Sequence, residues 1–166
     1  MIKNNILGVL GHLFIVAFVF LFLSLVHKGD TVARFFYSGV VGKVFFVLLP
    51  VFFYWLVGKL MSRNTGWVGV LLPGLGIVAV AFFFSLISLS GLGSSWMTKE
   101  VGESMWRFPL ELFLLPQYVI LTLWGLPKVE YTMMILSLFP GVVYTFSILQ
   151  GRMKKKQRKR KREFSS

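Results

Sequence analysis

Charged residues divide this chain into long apolar runs, with uncharged stretches from fifteen to thirty-five residues between short polar clusters. A charge at bilayer depth costs about 2.5–3.5 kcal/mol on insertion scales, and a helix needs roughly 20 apolar residues to cross, so these gaps predict spans. Residues 4–27 carry no formal charge and contain the run Ile6 to Val26, predicting a first span over 6–26. Ser24-Leu25-Val26-His27 offers no small-x-small cleavage site, so this segment is expected to be retained. The gap 44–58 extends to a second span, 40–61, with Lys43 and Lys59 near its ends where their stems can snorkel. Trp67 opens a third span, 67–89, and Gly91-Leu92-Gly93-Ser94-Ser95 breaks it. Phe108-Pro109-Leu110-Glu111 opens a fourth, 108–126: proline suits the first helical position and the carboxylate faces the positive end of the dipole. A fifth, 131–150, ends at Gly151-Arg152-Met153-Lys154-Lys155-Lys156.

The expected fold is therefore an all-α integral membrane protein with about five transmembrane helices over residues 1–151, followed by a polybasic tail, 152–166. Tyr37, Trp67, Trp106, Trp124 and Tyr131 fall near span ends, the level aromatic side chains favour, whereas Trp55 lies inside its span. Two connections read as interfacial helices or as irregular loop. In one, Asp30 would cap a turn bearing Val32, Phe35 and Phe36; in the other, Met97, Val101 and Met105 recur every fourth residue.

Composition agrees with a bilayer as solvent. Of 166 residues 56% are apolar and 14% charged, too few polar side chains to cover a water-soluble domain. Net charge is +12, but nine of the eighteen bases lie between Arg152 and Arg162, so residues 1–151 carry only +4. Counting bases by side tests orientation. Five spans with the tail inside give fourteen bases inside against four outside; four spans with both ends inside and one of the last two segments re-entrant give twelve against six. The first arrangement is favoured, with an outer N-terminus and a cytoplasmic C-terminus. The absence of cysteine excludes disulfides, thiolate metal sites and thiol nucleophiles.

A short echo runs through the apolar segments. Leu48-Leu49-Pro50 and Leu71-Leu72-Pro73-Gly74 are 23 residues apart, Leu114-Leu115-Pro116 and Leu138-Phe139-Pro140-Gly141 are 24 apart, which suggests a helix followed by two duplicated helical hairpins. Each proline removes a helical hydrogen bond and favours a kink.

Chemistry is sparse. His12 and His27 are the two histidines, and on one helix they would stand about 22 Å apart, too far to share a metal ion, so no metal or other cofactor is expected. Asp30 is the one aspartate, and there is no His-Glu-x-x-His, Gly-x-Ser-x-Gly or glycine-rich phosphate loop, so no catalytic constellation is expected. His12, Gln117 and Thr122 form a candidate intramembrane polar site, able to line a cavity or to bond neighbouring helices. Glu111, four residues after Arg107, reads as half of a surface salt bridge, and no Lys or Arg lies deep in any predicted span. Ala81, Ser85 and Ser88 form a small-residue stripe suited to close helix contact.

The tail bases Arg152, Lys154, Lys155, Lys156, Arg158, Lys159, Arg160, Lys161 and Arg162 begin at the predicted membrane exit, where anionic headgroups attract each by up to about 1 kcal/mol before screening. Such a tail also serves as an orientation signal, and ribosomal RNA or an acidic protein is a further possible contact. No family is identified by these residues. The expectation is a non-enzymatic accessory, scaffold or assembly subunit of a larger complex in a bacterial plasma membrane, binding a membrane-protein partner or a second copy of itself. The alternative is a transporter or channel subunit working as an oligomer.

Overall fold

The computed structural model describes residues 2–61, 66–93 and 105–163, and every regular element among them is helical. In chain order these are α1 (Ile2–Val26), α2 (Asp30–Ser38), α3 (Val40–Leu60), α4 (Trp67–Leu92), a 3-10 turn (Met105–Arg107), α5 (Phe108–Phe113), α6 (Leu115–Leu123), α7 (Glu130–Ser137) and α8 (Phe139–Glu163). Four helices are long and apolar enough to cross a membrane: α1, α3, α4 and the nearly continuous stretch Glu130–Gln157. At 1.5 Å per residue even α3, with 21 residues, rises about 31 Å, the thickness of a hydrocarbon core.

Pairs of contacting residues fix the helix directions. Asn4 Nδ2 donates to the Gly69 carbonyl at 3.3 Å, and Gly8 lies against Pro73, so α1 and α4 run parallel. His12 meets Tyr54 while Phe22 meets Phe46, so α3 runs antiparallel to α1. Gly74 lies against Gly141 and Ser85 beside Glu130, so α7 and α8 run antiparallel to α4. Gly58 rests on Ser147, which places α8 along α3. One end of the bundle thus holds the start of α1, the end of α3, the start of α4 and the exit of α8. The other end holds Val26, α2, the start of α3 and the end of α4.

Glycine allows the closest of these approaches. A Cβ on Gly141 would stand 2.8 Å from the Gly74 Cα, and one on Gly8 2.7 Å from the Pro73 side chain. Small residues at such crossings let backbones meet where lipid tails would otherwise solvate both helices equally well. At the opposite end α2 folds back so that Phe36 packs on Phe22 and Phe46, while Val32 and Phe35 stay exposed. Gly29 stands in the N-cap position of α2. The second expected interfacial helix lies, apart from Met105, outside the described residues.

The segment expected as a fourth span is different in kind. It is two short helices, α5 and α6, interrupted at Leu114, whose φ of −98° and ψ of 26° leave the helical region. Pro116 explains the position of the break: it has no N–H for the Leu112 carbonyl, and its ring crowds the preceding turn. The mirror feature at Leu138 and Pro140 is milder. Leu138 keeps helical angles (φ −71°, ψ −24°), and α7 and α8 continue as one rod. The two hairpins of the suggested duplication therefore differ, since α3 passes through Pro50 unbroken. The tail is also helical, because α8 continues through the basic stretch to Glu163.

Candidate functional site

Among the described residues, two buried polar clusters stand out in the interior. The first is centred on His12, fully buried on α1, whose ring reaches two other elements. Its Nε2 lies 2.8 Å from the Phe113 carbonyl, and its Nδ1 lies 2.8 Å from the Tyr54 hydroxyl. A carbonyl can only accept, so Nε2 carries the hydrogen, and the neutral ring then accepts at Nδ1 from the Tyr54 O–H. The Phe113 carbonyl stands at the end of α5, beside the break before Pro116, and His12 supplies it with a side-chain donor. The ring also packs edge-on against Phe113 at 4.5 Å between centroids. Gln117, on the first turn of α6, lies beside the Tyr54 hydroxyl and is buried. Tyr144 of α8 crosses the Tyr54 ring at 5.5 Å and donates to the Gly8 carbonyl at 3.1 Å. One cluster thus ties α1, α3, α5, α6 and α8 together, in a medium where each unmade hydrogen bond is costly.

The second cluster sits towards the α2 end. The Arg107 guanidinium Nε lies 3.4 Å from a Glu130 carboxylate oxygen, with both side chains 0% exposed. Ser85 and Glu111 stand near the same carboxylate. The Ser88 hydroxyl donates to the Trp106 carbonyl at 3.4 Å, and the Trp106 ring covers Gly91, where any side chain would collide with it. Arg107, expected at the surface beside Glu111, is instead buried and faces Glu130 as well, so an arginine does lie inside the protein. The pairing joins the residue before α5 to the first residue of α7, so the chain between them leaves one place in the bundle and returns to it.

Of the sequence-predicted site residues, His12 and Gln117 are brought together. Thr122 is not: its hydroxyl donates to the Tyr118 carbonyl at 2.9 Å, four residues back, and the side chain is exposed. Ala81, Ser85 and Ser88 are all fully buried along α4, with Ser85 and Ser88 serving the polar cluster as well as packing. Along the basic end of α8, Lys154, Lys155, Lys156 and Arg160 are exposed and Arg152 is half-buried; the side chains of Arg158, Lys159, Lys161 and Arg162 lie outside the described ones. Sequence reasoning missed Tyr54, Tyr144, Arg107, Glu130 and Asn4. A tyrosine within an apolar run was the available signal, since a buried phenol needs a partner. Trp55, out of place in an aromatic belt, donates through Nε1 to Gln150 at 3.2 Å and carries the Lys59 ammonium 3.2 Å above its ring.

Among the described residues no three His, Cys, Asp or Glu side chains gather as a metal site. Comparison of the chain with family models, characterised proteins and solved structures finds no match.

Proposed function

We propose that this chain is a non-enzymatic membrane subunit that packs against and assists a larger membrane complex. In this reading it crosses the membrane four times, through α1, α3, α4 and α7–α8, and residues 107–130 form a re-entrant segment. Both termini then lie on one side. The twelve bases on that side, against six opposite, make it the cytoplasmic one.

The observation that carries the functional reading is the bonding of the interior. His12 uses both ring nitrogens, Tyr54 and Tyr144 donate inward, and Arg107 faces Glu130, so the polar groups bind elements of the chain to one another. Such groups build a rigid body rather than a reactive centre. The outside, in contrast, is rich in exposed apolar side chains on α1, α3, α4 and α8, suited to lipid and to other helices. Purification of the tagged protein from its native membrane in mild detergent is expected to yield a stoichiometric membrane-protein partner. A protein that elutes alone as a defined homo-oligomer would overturn this reading.

One feature favours a transport role as the second reading. Gln117 is buried at the break between α5 and α6, and its amide atoms lack a hydrogen bond of full geometry. A buried amide beside an interrupted helix is the kind of group that lines a solute path. Solute flux in liposomes that is lost in Gln117→Leu would support it, and unchanged flux would remove it.

A further inference from the structure

A groove of about 540 Å³ runs along the outer face between α3 and α8, lined by Leu48, Val51, Phe52, Trp55, Val142, Val143 and Phe146. Its walls are hydrocarbon and aromatic throughout. From Leu48 to Trp55 it extends about 10 Å along α3, at 1.5 Å per residue. Its two ends are chemically unlike. Towards Trp55 the groove meets the Trp55 to Gln150 hydrogen bond and the Lys59 ammonium above the Trp55 ring. Lys154 follows Gln150 by four residues and Phe146 by eight, so it shares their face of α8, one turn further out. Lys59 and Lys154 are both exposed. An apolar slot thus opens at its outer end onto two lysines from two different helices.

We propose that this groove is a binding site for one anionic phospholipid, with an acyl chain lying between α3 and α8 and the headgroup phosphate held by Lys59 and Lys154. The proposal rests on the reading of α3 and α8 as membrane-crossing helices. The occupant follows from complementarity. An acyl chain matches walls that offer no polar partner, and a phosphate at headgroup level meets two cations. A zwitterionic lipid would satisfy the slot but leave the two positive charges without net compensation.

The test uses the full-length protein in phosphatidylcholine vesicles containing increasing shares of phosphatidylglycerol or phosphatidylcholine with brominated chains, which quench nearby tryptophan. The contribution of Trp55 is read as the difference from Trp55→Phe. Each base within reach of the headgroup contributes up to about a factor of five before screening, so a several-fold preference for the anionic lipid at Trp55 is expected. Lys59→Gln/Lys154→Gln should bring that preference close to one. Lys156→Gln/Arg160→Gln, which removes the same charge further along α8, should leave it. Equal quenching by the two lipids would overturn the proposal, as would equal losses in both double variants, the signature of diffuse attraction to the tail. Absence of quenching by either lipid would overturn the membrane-crossing assignment of α3 and α8 together with the site.

Discussion

At the scale of single residues, the interior is held by a few polar groups whose value comes from what would be left behind without them. Tyr54→Phe removes the donor to His12 and leaves a buried ring nitrogen without a partner. Interhelical hydrogen bonds in membranes contribute from about 0.6 to 1.7 kcal/mol, so a loss of about 0.5–2 kcal/mol is expected in detergent unfolding followed by circular dichroism. His12→Ala should cost more, because both contacts disappear and a space opens. The Arg107 and Glu130 pair should behave differently. Arg107→Leu alone removes the cation beside the buried Glu130 carboxylate, at a cost of about 3–5 kcal/mol. Arg107→Leu/Glu130→Leu should cost clearly less than the sum of its single changes, a non-additivity that a double-mutant cycle measures directly. Additive losses would mean that the two charges are solvated separately.

This scale is also where the sequence was hardest to read. His12 and Gln117 stood out as polar groups within apolar runs, and both lie beside the Tyr54 hydroxyl. Tyr54 and Tyr144 did not, because tyrosine near a span reads as a belt residue and nothing local says that its hydroxyl points inward. Arg107 reads from sequence as the surface partner of Glu111 and Glu130 carries no signal of its own, for a related reason: each alone is too costly to bury, and their pairing depends on a contact across 23 positions of sequence. Thr122 satisfies its own hydroxyl on the preceding turn, an option open to any helical threonine.

At the scale of elements, gaps between charges locate helices well. The four long apolar helices begin within about four residues of where four of the five spans were expected, since a long uncharged run needs only local information. The remaining segment has the composition of a span and the geometry of a break. Its apolar residues are as suited to the inside of a helical bundle as to lipid, and composition does not distinguish the two. Packing between elements yields a further test. Gly141→Val would force α8 away from Gly74, and overpacking of this kind costs about 1–3 kcal/mol. Gly93→Val, whose added Cβ meets open space, has no such crossing to disturb, although its φ of 60° favours glycine. A lower detergent melting temperature for Gly141→Val, with the helical signal retained, is the expected result.

At the scale of the whole molecule, the arrangement of helices bears on the proposed sidedness. The start of α1, the end of α3 and the exit of α8 gather at one end, and the chain from Arg107 to Glu130 returns to where it began. Five crossings would put the two chain ends on opposite sides of the membrane; a re-entrant segment puts them on the same side. Total charge discriminates weakly between these plans, because the nine tail bases count inside in both. The connections carry the distinction instead. Since the chain has no cysteine, single cysteines at Ser62, Ser104 and Ser166 can each be probed in intact cells with an impermeant thiol reagent. Labelling at Ser104, with Ser62 and Ser166 protected until the membrane is opened, is the result predicted by four crossings and a re-entrant segment. Labelling at Ser62 with Ser104 protected would contradict it and restore five.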